Sequence, residues 1–173
     1  MSEVIKEKPH SVLLLIAGIL SLIPALPVLD GIFPLFSGSG SDMSFWIQMD
    51  TAFGTFDIDA WTLIPLPGLL WALIFIILGI LLIVVGLNAF LKFLPVEENV
   101  VPLGLSALVG IVSGAVLLVF FVLLFITEPD MGMTSIKTMG MDMEFDNVGL
   151  GLYMLIIGGI LALVGGILAK MKS

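Results

Sequence analysis

The chain has 173 residues, 60% of them hydrophobic and 12% charged, with a mean hydropathy of +1.25 and a net charge of −8. So apolar a composition excludes an ordinary soluble domain and defines an integral membrane protein. With six lysines, no arginine and pI 4.2, nothing favours nucleic acid as a partner.

Four uncharged apolar runs, Ser11–Leu29, Leu63–Leu91, Val101–Ile126 and Val148–Ala169, each reach the ~20 residues that cross a ~30 Å hydrocarbon core. In lipid such runs must be helices to satisfy their own backbone. The expected fold is an all-α membrane protein, a single four-transmembrane-helix bundle, with loops at about 30–62 and 127–147 forming a small extracytoplasmic β-containing cap.

Lys6 and Lys8 precede the first run as they would in a signal peptide. The run is long for an apolar signal core, however, and "ALPVLDG" is a poor cleavage site, so it reads as a retained span. Pro24 and Pro27 should kink or end this helix. His10, the only histidine, stands at its start and is placed at the membrane interface. "GIFPLFSGSGSD" then reads as irregular chain with a flexible Ser/Gly tip. In "FWIQMDTAFGTFDIDAW", Ile47 and Met49 alternate with polar residues, as do Phe56 and Ile58, around a Gly-containing turn. That pattern predicts a hairpin. Trp46, away from any helix end, is the candidate partner contact. Pro65 and Pro67 are acceptable in the opening of the second helix.

Small residues recur inside the spans. Ser106, Gly110 and Gly114 are spaced by four in the third, and Gly158, Ala162 and Gly166 in the fourth. Ala17, Ser21 and Ala25 do the same in the first, while Ala72, Gly79 and Gly86 in the second are spaced by seven. Such stripes let backbones approach where lipid removes the hydrophobic drive for association. They serve a homodimer face or packing within one bundle, and internal packing is the expectation. Glycines seven apart after an acidic, aromatic strand end, in both the second and the fourth spans, give a faint echo of a duplicated helical hairpin.

From Met139 the second loop alternates Met, Gly, Met, Asp, Met, Glu, Phe, Asp, so Met139, Met141, Met143 and Phe145 share one strand face. This strand is expected to extend the first-loop hairpin into one sheet. Thioether sulfur is a soft ligand suited to Cu(I), which makes Met131, Met133, Met139, Met141 and Met143 candidate copper ligands. Asp142 and Glu144, with Asp57, Asp59 and Asp146, offer oxygen ligands for Ca²⁺. Against copper, alternate residues on one strand face stand ~7 Å apart, too far to chelate one ion tightly. Packing is therefore expected of the methionines, and no resident cofactor is expected.

Lysines set the orientation. Lys6, Lys8, Lys92, Lys170 and Lys172 fall on one side of a four-span chain, which the positive-inside rule places in the cytoplasm with both termini. The opposite loops carry ten acids against Lys137 alone. With no cysteine, they hold their shape without disulfides. The spans contain no Asp, Glu, Lys, Arg or His, and Asn88 is their only amide. Catalysis and ion relays need buried ionisable groups, so no catalytic residue is assigned and the chain is not read as an enzyme.

This layout, with a long tryptophan-bearing first loop, a short inner turn and a shorter second loop, resembles claudin-type and tetraspanin-type four-span proteins. Claudins carry a Trp…Gly-Leu-Trp…Cys…Cys signature, where this chain has tryptophans and no cysteine pair. Tetraspanins place their large, cysteine-rich loop second, and here the larger loop is first. The resemblance implies lateral self-association or organisation of partners. The expected role is a non-enzymatic scaffold or accessory subunit in contact with the bilayer and with a second copy or other membrane subunits. A copper- or calcium-binding subunit and an oligomeric pore subunit are the alternatives.

Overall fold

Proline punctuates every helix boundary at which the chain enters from a loop or tail, except the last. Pro9 opens α1 (Pro9–Leu22), where its missing N–H is an orphan position anyway. Pro24 cannot donate to the helix ladder and its ring crowds the preceding turn, so the helix stops short of it. The chain tightens into 3₁₀ turns at Ile23–Ala25 and Pro27–Leu29. The first span, expected as Ser11–Leu29, is thus a helix of 14 residues with a 3₁₀ continuation.

The structure, a computed structural model, describes residues 8–29, 32–37, 42–43, 48–51, 54–57, 62–63, 66–87, 101–127, 134–138, 141–145 and 147–173. Helix α2 (Gly68–Leu87) begins after Pro67. The expected start at Leu63 is corrected, because Thr62–Leu63 pairs with Leu66–Pro67 as extended chain. Helix α3 (Leu103–Thr127) follows Pro102, and α4 (Leu150–Lys172) follows Gly149. Among the described residues, Leu70–Leu87, Leu103–Leu123 and Leu150–Lys172 make three helices long and apolar enough to cross a membrane, and Pro9–Ala25 is a shorter apolar helix. The chain is compatible with a membrane location, and the outward faces of these helices, rich in Leu, Ile and Val, suit contact with lipid.

Between the helices the described chain forms short antiparallel pairs. Strands β1 (Phe36–Ser37) and β2 (Asp42–Met43) pair across "GIFPLFSGSGSD" and the Met43 that follows it, a stretch whose composition predicts irregular chain. Strands β3 (Gln48–Thr51) and β4 (Gly54–Asp57) pair with Thr51 opposite Gly54, a hairpin at "TAFG". The pair already noted supplies β5 (Thr62–Leu63) and β6 (Leu66–Pro67). Strand β7 (Thr134–Thr138) pairs with β8 (Met141–Phe145), and β9 (Asn147–Val148) pairs with β1.

The expectation that the methionine strand extends the first-loop hairpin is therefore corrected. Among the described residues β8 pairs inside its own loop, and the two loops meet through β9 and β1. Alternation fixes which residues share a face, but not the partner strand. Closing a two-residue turn onto β7 loses far less chain entropy than reaching across to another loop.

Helix α1 packs against both α2 and α4, and α4 also packs against α3; α2 and α3 meet more sparsely. Two apolar cores result. One, toward the long loops, centres on Trp71, Phe75 and Phe120, and the other, toward the chain termini, on Leu14, Ala17 and Leu82.

Candidate functional site

Three helix interfaces are made by glycine. A methyl group placed on Gly110 would stand 2.7 Å from the Gly166 Cα and 2.9 Å from the Ala162 carbonyl oxygen. On Gly114 it would meet the Gly159 carbonyl oxygen at 2.8 Å, so α3 and α4 touch backbone to backbone. Gly18 and Gly79 do the same for α1 and α2, and Gly86 lies against the Leu15 backbone. Gly158 faces Ser21 and the Ala17 carbonyl across the α1–α4 seam. The Ser21 hydroxyl donates to that same carbonyl at 2.7 Å, so it brings no unpaired hydroxyl to the seam. Ala72, Ser106 and Ala162 are buried, Ala72 within the core of Trp71 and Phe75 and Ala162 at the Gly110 crossing. Where lipid competes equally for apolar surface, close van der Waals contact of this kind is what holds helices together.

The fourth interface is built differently. Between α2 and α3 stand aromatic rings. Phe75 meets Phe120 edge to face at 4.9 Å between centroids, and Trp71 lies 5.0 Å from Phe120. Each such pair contributes about 0.5–1.5 kcal/mol beyond its area. The rings prop apart the two helices that lack a glycine crossing.

The same rings close the long-loop end. After the 3₁₀ turns the chain folds back, and Leu35 is fully buried among Ala25, Trp71, Phe75 and Phe120. This return is fastened to α4. The Gly149 N–H donates to the Leu35 carbonyl at 2.8 Å, and the Gly151 N–H to the Pro34 carbonyl at 2.9 Å. The first N–H groups of a helix have no partner within it, and here a distant segment satisfies them. A Cβ on either glycine would run into the Pro34 or Phe33 carbonyl. Gly151→Val is expected to break this clasp and lower stability by about 2 kcal/mol. Accelerated hydrogen exchange at Gly149 and Leu152 would report it, and unchanged exchange would show the fastening to be dispensable.

At the opposite end His10 is 3% exposed. It is buried within the protein, at the start of α1. Burial, and then the charges of Lys172 and Lys8, push its imidazole below the ordinary histidine range. The unfolded chain therefore takes up this proton first, and the contribution of His10 to stability is lost as pH falls through that range.

Met131, Met133, Met139, Trp46 and Asn88 lie outside the described residues. Met141, Asp142, Met143 and Glu144 are all on β8, whose register sets Met141 and Met143 opposite Thr138 and Ile136, and Asp142 and Glu144 opposite Lys137 and Ser135. Replacing Met139, Met141 and Met143 together with leucine keeps apolar volume and removes every one of those sulfurs. Stability should survive this if the residues pack. Loss of function in the triple variant, together with tight Cu(I) binding by the parent, would establish the copper reading instead.

The Gly149/Gly151 fastening and the burial of Leu35 were not anticipated. Their one trace in the sequence is the Gly-x-Gly of "NVGLGLY" directly before an apolar run. No protein-family model, curated protein or solved structure matches the chain.

Proposed function

We propose that this chain is a four-span membrane protein whose helices form one bundle, with both termini cytoplasmic and the acidic loops outside as a β-containing cap. We infer a non-enzymatic role, as a scaffold or accessory subunit that acts through lateral helix contacts and that acidic cap. One observation carries this reading: the small residues and the Leu35 return are used up in closing the helices on one another. What is left for a partner among the described side chains is the aliphatic outer faces, such as Ile77, Ile80 and Val84 on α2. A chain whose interior is closed in this way is suited to contacting neighbours rather than conducting solutes.

The orientation is tested with single cysteines introduced at Ser2, Ser41, Ser135 and Ser173. An impermeant reagent added outside should label positions 41 and 135 and leave 2 and 173 untouched; labelling at Ser2 would overturn the topology. The role is tested with the purified protein in liposomes and the same protein in its native membrane. The expected result is no solute flux in liposomes and a stoichiometric membrane partner that is lost when the acids of the second loop are neutralised. Saturable flux by the protein alone would sink the scaffold reading and favour a pore.

A further inference from the structure

The turns that follow α1 expose apolar side chains that helix packing does not use. Val28, in the Pro27–Leu29 turn, is 87% exposed, more than any other large apolar side chain among the described residues. Ile32 is 62% exposed, and both residues stand beyond the α-helical end of α1. That α-helix has 14 residues, so it is about 21 Å long against the ~30 Å of a hydrocarbon core.

The main chain of this stretch offers few open donors. Pro24, Pro27 and Pro34 have no N–H at all. The Ile23 N–H donates to the Ile19 carbonyl. Those of Leu26, Leu29 and Ile32 donate in relay to the carbonyls of Ile23, Leu26 and Leu29, at 3.1 to 3.3 Å. The Pro34 and Leu35 carbonyls accept from Gly151 and Gly149. A loop in water can leave such groups to the solvent, whereas one against lipid has to pair them within the protein. The Gly149/Gly151 fastening also fixes the height, holding the returning chain level with the first turn of α4. Leu150 and Tyr153 are exposed there, and tyrosine favours the boundary between membrane and water. On α1 the exposed Ile16 and Ile19 lead toward the same end. The charge of Asp30, in the same stretch of sequence, holds the segment away from the hydrocarbon centre. We propose that Val28 and Ile32 dip into the boundary between lipid headgroups and acyl chains. There they carry the crossing that α1 begins out to the membrane surface. The inference rests on the membrane-spanning reading.

Val28→Cys, Ile32→Cys, Ser41→Cys and Ile77→Cys each supply a single thiol, since the chain has no cysteine. In phosphatidylcholine liposomes, the thiols at positions 28 and 32 should react with an impermeant maleimide about tenfold more slowly than the one at 41. The protein itself leaves Val28 open, so slow reaction has to come from what surrounds it. A nitroxide attached at 28 or 32 should collide more with oxygen, which concentrates in lipid, than with a water-soluble nickel chelate. Thiols at 28 and 32 as reactive as the one at 41, with the nickel chelate dominant, overturn the inference. It fails alone if the nitroxide at 77, midway along α2, still favours oxygen. If the nitroxide at 77 meets the nickel chelate as well, the membrane reading falls and takes the inference with it. Slow reaction that turns fast when the protein is diluted in lipid would show a second copy covering Val28, and would also overturn it.

Discussion

Replacing Gly110 with leucine should force α3 and α4 apart and destabilise the protein by about 3 kcal/mol. The size follows from what lies opposite. The neighbours of a Cβ at Gly110 include the Gly166 Cα and the Ala162 carbonyl, which are main-chain atoms and cannot rotate away as a side-chain tip can. Four more heavy atoms then have to fit where not even the first has room. The expected readout is a lower unfolding midpoint in detergent together with loss of any cross-link between cysteines flanking the α3–α4 contact. Gly104→Leu is the control, since a Cβ there meets nothing within 4 Å. Equal behaviour of the two variants would mean that the crossing opens freely and that close approach contributes little.

Phe120→Ala should act by the opposite route and cost about 3 kcal/mol. Phe120 is fully buried and is the ring shared by both pairs that span α2 and α3. Alanine leaves a cavity at the interface with the fewest other contacts, next to Leu35. The loss should therefore reach beyond α3, and hydrogen exchange at Leu35 should quicken along with that of α2. Phe120→Leu keeps part of the volume and should lose less than half as much. If exchange quickens only in α3, the aromatic group does not couple the returning loop to the helices.

The sequence made the helices legible and their ends less so. Apolar runs without charges located all four, because lipid tolerates little else. Where Pro24 cuts α1, the residue type announced a break, yet hydropathy continued smoothly to Leu29 and hid how early the α-helix stops. In the 141–145 segment, alternation identified a strand and its two faces but assigned it to the wrong sheet, since pairing is settled between strands rather than within one. The Gly149/Gly151 fastening was illegible for a related reason. Glycine beside a helix start is common, and only a Pro34 carbonyl more than a hundred residues away gives these two a role. The burial of His10 was not legible either, because position at a helix start says nothing of what a second helix brings alongside.

The clasp between Pro34–Leu35 and Gly149–Gly151 also sets an order in time. During synthesis α1, the returning segment and α2 all emerge long before α4 exists. Until then Leu35 lacks Leu152 and Leu155 of its core, and the Pro34 and Leu35 carbonyls lack the N–H groups that they finally accept from. Contacts of such long sequence separation form late and slowly. The first half of the chain must wait, incomplete, for the last helix. A chain that stops anywhere between α2 and Gly149 therefore leaves this core open and the returning segment unfastened.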